Sequence, residues 1–579
     1  MAPSDGRLGL KGDAVTGSVL DASSPARRSS RVLSAAMVAA TLAALAGRVA
    51  GGLPELAEAG ALAEACLPAI FAGWLAATLL AARGALADLG VLLIDVAIAA
   101  ALLAAPGETS VALPLVLMHY ALGWLAPALA ATREGTEQPA VQAPLHPARL
   151  VAGSFASVIL LGTLLLTIPA ATRAGSTTSF VDALFTATSA VCVTGLIVVD
   201  TAEHFTLFGQ VIIITLIQIG GLGIMTMSAA STLFLGHSIG LRGRTVMAEL
   251  LDSSDITQLK RLTLSIVQAT LLVELAGGLL LFSRFHALGR PVAEALWLGL
   301  FHSVSAFCNA GFALFSDSLM GFRSDGLLVV CVSALIILGG LGFSVLRELS
   351  LVATGRSREL SVHSRLVLLV TALLLGAGAA GFYILEAEAS MRGLTQGERL
   401  LSSWFASVTP RTAGFNTLPM GQLSQAGVFL TLVMMFIGAS PGSTGGGIKT
   451  STLGVIVLAV RQALTGRAVV VFGRSLARAT VDKAYAMAFL ALAVVMVFAG
   501  VLCVTEDAPL VTVLFEATSA FGTVGLSLDF TAKLTTAGRL LISALMFTGR
   551  VGPLTLMLAL GAVARRQPLE YPEGRVMIG

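Results

Sequence analysis

Charge is what this chain has least of. Asp, Glu, Lys and Arg make up 12% of its 579 residues, against about 25% in a soluble domain. That shortage excludes a water-soluble multidomain protein. Cysteine is scarce too: Cys66, Cys192, Cys308, Cys331 and Cys503 have neither CxxC nor CxH spacing, which argues against a disulfide framework and a zinc site. The net charge of +3 is not gathered into one basic patch, so nucleic acid is not an expected partner. No nucleophile or carboxylate pair lies within the apolar stretches, and no enzyme active site is expected. The run "GSTGGGIKTST" from Gly442 imitates a phosphate loop, but Ile448 separates Lys449 from the last glycine and no strand precedes it. No cofactor is expected to bind this chain.

What the chain has is hydrophobic sequence, 56% of residues with a mean hydropathy of +0.89. Apolar runs of about twenty residues, the length that crosses a bilayer, recur along it. The expected fold is an all-α polytopic membrane protein. Arg242, Arg244, Lys260 and Arg261 share one loop, Arg356, Arg358 and Arg365 the next, Arg461, Arg467, Arg474, Arg478 and Lys483 a third, and Arg565, Arg566 and Arg575 the tail. By the positive-inside rule these face the cytoplasm with both termini, and the connection at Glu506-Asp507 faces outward. "RRSSRVLSAAMVAATLAALAG" has the charge and apolar stretch of a secretory signal and is expected to remain as the first anchor in the plasma membrane.

Self-similarity organises the rest. "FTATSAVCVTGL" from Phe185 recurs as "FHSVSAFCNAGF" from Phe301, "FASVTPRTAGF" from Phe405 and "FEATSAFGTVGL" from Phe515. The glycines, 195, 311, 414 and 525, stand 116, 103 and 111 residues apart, which implies one unit used four times. In each unit an apolar span (149–171, 262–285, 364–386, 484–504) precedes a short helix of about ten residues, roughly 15 Å. Ser179 with Asp182, Pro291, Thr395 with Glu398, and Pro509 are the start signals. Such pieces are too short to cross and are expected to enter and return, which is tolerated only where protein or a water-filled cavity satisfies the backbone. A second glycine break follows 25, 28, 24 and 24 residues later: "GGLG" at Gly220 and Gly339, "GASPGSTGGG" from Gly438, and "GRVGP" from Gly549.

Glycine permits positive φ, so consecutive carbonyls can turn to one side and replace the water shell of a cation. The candidate potassium-binding carbonyls are those of Val193-Thr194-Gly195, Asn309-Ala310-Gly311, Thr412-Ala413-Gly414 and Thr523-Val524-Gly525. Potassium at these positions is the expected metal, as substrate. Asp200, Asp317 and Asp529, with Asn416, follow the glycines closely. They are either an outer ring concentrating cations or solvated loop acids. His302 is expected to hydrogen-bond within the wall of the short helix.

From about residue 149 to 579 the sequence resembles the Trk/Ktr/HKT family of potassium transporters. "VTGL", "NAGF", "TAGF" and "TVGL" carry the resemblance, and "GASPGSTGGGIKT" and "GRVGP" are most similar to the bacterial Ktr-type membrane subunit. The resemblance implies four fused membrane helix–pore helix–membrane helix repeats around one pore, with a filter facing outward. It also implies a homodimer and a cytoplasmic ring of nucleotide-binding regulatory subunits. Glycine in all four units implies potassium preference, since serine at the first position goes with sodium permeability in this family. A sodium-permeable or sodium-coupled protein of the same architecture, or an alternating-access transporter, are the alternatives. The long N-terminal region exceeds what Ktr-type subunits have.

Arg550 falls inside an apolar span, where an unpaired charge costs about 2.5–3.5 kcal/mol or more. With Gly438, Gly442, Gly445, Gly446, Gly447 and Lys449 it forms a candidate gate: a small-residue loop able to lie across the path and an arginine that repels cations. The other reading is an arginine that only ties helices together. The expected organisation is a cytoplasmic tail 1–31, extra membrane segments over 32–148 (near 32–47, 60–82, 86–105 and 109–131), pore repeats 149–240, 262–352, 364–462 and 480–566, and a tail 567–579.

Overall fold

Proline sets the first boundary. In the computed structural model the helix expected over 149–171 is α1, Pro147–Leu166. Pro169 cannot extend the hydrogen-bond ladder and Ile168 is extended, so Pro169–Ala171 turns as a 3-10 helix. The structure describes residues 147–173, 176–234, 256–466 and 470–553, all within the unit Ala121–Gly579. The expected segments of 1–146, including Cys66, lie outside the described residues, as do Arg242, Arg244, Arg467 and the tail carrying Arg565, Arg566 and Arg575.

Four stretches then follow one order. First helices α1, α4 (Ile256–Ala287), α8 (Val362–Leu385) and α12 (Arg478–Thr505), the last three long and apolar enough to cross a membrane, lead to short helices α2 (Phe180–Val191), α5 (Val292–Phe307), α9 (Gln396–Val408) and α13 (Leu510–Gly522). The short helices have 12, 16, 13 and 13 residues, longer than the ten expected but still below the length of a span. Their starts are as the sequence implies. Ser179 caps α2 at Asp182 N, a capping box joins Thr395 and Glu398, and Pro291 and Pro509 stand at the N-caps of α5 and α13.

The second helices are α3 (Leu207–Phe234), α6 (Gly326–Leu341) with α7 (Phe343–Ala353), α10 (Gln425–Phe436) with α11 (Thr450–Thr465), and α14 (Thr536–Val551). Each is interrupted or ended at the glycine break. α3 kinks at Gly223, α6 and α7 bend by 106° at Gly342, a loop separates α10 from α11, and α14 stops at Gly552. Close packing requires a glycine three residues before the break in three of these helices. A Cβ on Gly220, Gly339 or Gly549 would strike the carbonyl of Val191, Phe307 or Phe521, each four residues before its unit's signature glycine. In the first, second and fourth units the second helix thus lies on the C-terminal end of its own short helix.

Packing between units is cyclic. α3 meets α5, α6 meets α9, α10 meets α13, and α14 returns to α2. The Asp182–Arg539 ion pair spans that last junction. At the other end of the second, third and fourth units, the first helix is tied to the start of the second. Glu386 accepts from Ser424 N (3.0 Å) and Oγ (2.6 Å), Glu506 from Thr535 N (3.0 Å), and Arg284 Nε meets Asp325 at 2.6 Å. α12 leaves Phe489, Met496, Val497 and Val504 exposed, the apolar face a bilayer requires. One element has no counterpart in the sequence reading: a hairpin pairing Val470–Val471 with Arg474–Ser475 in the third basic loop.

Candidate functional site

Each short helix ends in a left-handed step. Val193, Asn309, Thr412 and Thr523 have φ of 57°, 59°, 73° and 50°, and the glycines two residues later have 90°, 72°, 76° and 92°. β-branched residues avoid positive φ, so Val193, Thr412 and Thr523 are held there by their surroundings. Every second residue being left-handed turns successive carbonyls toward one side.

A hydroxyl residue in each short helix or at its end is the brace. Thr194 N donates to Ser189 O (2.8 Å), Ala310 N to Ser305 O (2.7 Å), Ala413 N to Thr409 O (2.9 Å) and Val524 N to Ser519 O (2.8 Å). The side chains then hold the glycine or the residue after it. Gly195 N donates to Ser189 Oγ (3.0 Å) and Gly525 N to Ser519 Oγ (3.1 Å), while Ser305 Oγ donates to Phe312 O and Thr409 Oγ1 to Phe415 O, both at 2.7 Å. No role was assigned to these hydroxyls from the sequence. Their recurrence six, six, five and six residues before the glycine was the signal.

The four glycine turns meet in a closed cycle. A Cβ on Gly195 would strike Ala310 O; one on Gly311 would lie 2.8 Å from Ala413 O; one on Gly414 would lie 2.6 Å from Val524 O; one on Gly525 would strike Thr194 O. The Asn309 amide and the Thr412 hydroxyl meet at 3.3 Å on the same ring. The four glycines and the residues that precede them are thus brought together. Peptide carbonyls gathered without a formal charge suit a weakly hydrated monovalent cation better than a divalent one.

The loop between α10 and α11 lies against this ring and touches the second, third and fourth units. Gly446 N donates to Thr523 Oγ1 at 2.9 Å, and a Cβ on Gly445 would strike Thr412 Oγ1. Ser440 N donates to Gly340 O (3.0 Å), Thr444 N to Gly339 O (3.3 Å), and Phe343 N to Gly442 O (3.1 Å). Gly438 packs directly on Gly446 O, so the loop folds back on its own base. Lys449 Nζ donates to the loop carbonyls of Gly445 (2.7 Å) and Gly446 (3.4 Å). Arg550 completes the set by donating to Thr444 O in the loop and Gly220 O in α3, with its guanidinium 6.0 Å from the Phe155 ring centroid. Among the described residues Arg550 has no carboxylate partner.

The acids that follow the glycines lie in separate loops. Asp200 caps a one-turn helix by accepting from Ala202 N (2.7 Å) and Glu203 N (3.1 Å), and Asp317 accepts from Gly321 N at 3.0 Å. Asp529 sits at φ 58° against Gly421 of the preceding unit. Asn416 bridges units through Ser318, accepting from Leu319 N at its own carbonyl (3.0 Å). His302 is a wall residue: its Nδ1 meets Leu298 O at 2.8 Å, its Nε2 accepts from Leu314 N at 3.2 Å, and its ring stacks on Phe315 at 5.0 Å. Glu516, in the same position of the fourth signature, accepts from Ser527 and Thr531 beyond the turn.

Comparison with known proteins places this geometry among transport proteins. The family model described as TrkH, a cation transport protein, matches residues 129–564. The potassium/sodium uptake protein NtpJ of Enterococcus hirae is 41% identical over 448 residues, covering 76% of this chain and 98% of that protein. Ktr system potassium uptake protein B of Bacillus subtilis is 39% identical over 436 residues, covering 75% and 97%. The crystal structure of the potassium transporter TrkH from Vibrio parahaemolyticus superposes with a TM-score of 0.62 at 19% identity, covering 82% of this chain and 97% of that one.

Proposed function

The chain belongs to the TrkH cation transport protein family, and from that premise we propose that it is a plasma-membrane potassium uptake protein with one pore per chain. The pore is built from four fused repeats. The observation that carries this reading is the closed cycle of Gly195, Gly311, Gly414 and Gly525, each so near the carbonyl preceding the next glycine that no side chain fits. Carbonyls of 193–195, 309–311, 412–414 and 523–525 form the filter and substitute for the water shell of a potassium ion. The ion is substrate, and the chain carries no cofactor.

The loop 438–447 and Arg550 form the gate on the cytoplasmic side of the filter. Support comes from the loop's hydrogen bonds to Thr523, Gly339 and Gly340 and from an arginine whose acceptors are backbone carbonyls. A fixed positive charge there opposes a permeating cation, and its hold on the loop, through the Thr444 carbonyl, can be released by a shift of the loop. The basic loops support an orientation with both termini in the cytoplasm and the filter facing outward. Relatives named as parts of a Ktr system support a chain that works with further subunits, and the arrangement proposed is a homodimer on a cytoplasmic ring of nucleotide-binding subunits.

The test is rescue of cells deficient in potassium uptake. The wild-type gene should restore growth at low potassium, and the purified chain in liposomes should pass potassium. Failure of both rejects the reading, and sodium flux equal to potassium flux rejects the assigned selectivity. Arg550→Ala should raise flux with selectivity unchanged; misassembled protein instead would support the tying role.

A further inference from the structure

Glu274 is a buried acid that neither the filter nor the gate uses. It lies within the crossing stretch Ser265–Ala287 of α4 and is 3% exposed. Its carboxylate accepts from Gln218 Nε2 at 3.1 Å and faces the Cys308 thiol at 3.6 Å, and that thiol stands 3.8 Å from Gln218 Oε1. Among the described residues no Lys, Arg or His forms an ion pair with it. A lone ionised carboxylate inside a membrane protein is costly, and an intramembrane acid usually has a task.

The fold itself does not need an acid there. Ser303 Oγ donates to the Glu274 carbonyl (2.6 Å) as Ser407 Oγ donates to the Leu375 carbonyl (2.7 Å). The two positions correspond, and the third repeat fills its own with leucine.

A continuous row of contacts runs from Glu274 to the gate. Cys308 touches Glu274 and packs directly on Gly221; the neighbouring Gly220 carbonyl holds Arg550. Gln218, the other partner of Glu274, precedes Gly220 on the same turn of α3. The remaining ionisable groups nearby are engaged elsewhere. His302 on α5 is bound to Leu298 and Leu314, Glu294 pairs with Arg290, Arg284 on α4 pairs with Asp325, and Cys331 on α6 packs into an apolar cluster. α3 offers no ionisable side chain among those described, and Lys449 is held by its own loop. Cys308 and Arg550 are therefore the titratable and charged groups on this row.

We propose that Glu274 is a proton-binding site that sets the strength of the Arg550 barrier, an inference that rests on the gate reading above. Protonated, Glu274 adds no charge and Arg550 stays on the Thr444 carbonyl. Ionised, it places a negative charge at the far end of the row, draws the guanidinium off the loop and weakens the barrier. Flux therefore rises as pH rises through the titration of Glu274.

The experiment measures potassium flux through the full chain in proteoliposomes across pH. The wild type should gain on the order of tenfold in flux between its protonated and ionised states, a usual size for coupling between two sites. Glu274→Gln should give low flux with a flat pH profile, and Arg550→Ala high flux with a flat profile. A wild-type profile surviving in Glu274→Gln overturns the proposal, and so does an Arg550→Ala chain that gains flux but keeps its pH dependence. If Arg550→Ala fails to raise flux at all, it is the gate reading that falls. Gln218→Leu removes a hydrogen bond to the ionised carboxylate and should move the midpoint of the flux profile to higher pH; an unmoved midpoint counts against the site. Infrared difference spectra should contain a protonated carboxyl band that Glu274→Gln lacks, and its absence from the wild type would also overturn the assignment.

Discussion

The Thr523 hydroxyl accepts a hydrogen bond from Gly446 N at 2.9 Å, so one side chain joins the glycine ring to the loop beneath it. Thr523→Val keeps the shape and removes the acceptor, leaving a buried N–H unpaired at a cost of about 1–3 kcal/mol. The loop should loosen while the backbone carbonyls stay. Potassium flux in liposomes is expected to rise, and unchanged or lower flux would separate the loop from gating.

Gly195→Ser tests the ring itself. At φ +90° a Cβ would strike the Ala310 carbonyl, so the neighbouring turn must shift and its oxygens move with it. Discrimination of potassium over sodium should fall, read as the ratio of the two fluxes. A variant with wild-type selectivity would mean that these carbonyls do not contact the ion.

Gly339→Ala and Gly500→Ala separate a tight glycine from a free one. The Gly339 Cβ would enter the Phe307 carbonyl, whereas a Cβ on Gly500 meets nothing within 4 Å. Overpacking of this kind costs about 1–3 kcal/mol, so Gly339→Ala should lower the unfolding temperature in detergent. Gly500→Ala, in the C-terminal part of α12, should be neutral or stabilising by about 0.5–1 kcal/mol. Equal behaviour of the two variants would refute the close approach of α6 to the end of α5.

The Asp182–Arg539 pair can be weighed by a double-mutant cycle. It joins α2 to α14, both side chains are mostly buried, and Ser179 Oγ also donates to Asp182 at 2.7 Å. A coupling of about 0.5–3 kcal/mol is expected for groups in one such network. A coupling near zero in thermal unfolding would mean that the cycle of units closes without it.

Four units, their short helices and their glycine turns were legible in the sequence, because they depend on local chemistry. Ser179, Pro291, Thr395 and Pro509 start helices through their own hydroxyls or missing N–H groups, and glycines recur where backbone must bend. The length of a crossing helix follows from bilayer thickness. Even Arg550 announced itself, since a charge in an apolar run requires a reason.

Only the tertiary structure decided which of these groups meet. That Gly195 faces Ala310, and Gly525 faces Thr194 more than 300 residues away, depends on the cyclic packing of α3 on α5 and α14 on α2. The same packing assigns Arg550 to the carbonyls of Thr444 and Gly220 and leaves Asp200 and Asp317 to cap their own loops. It gives Gly220, Gly339 and Gly549 their reason, the carbonyls of Val191, Phe307 and Phe521, and sets Glu274 beside Cys308. Sequence spacing records neighbours along the chain; contacts between distant segments arise from close packing and the pairing of buried polar groups, which no single segment encodes.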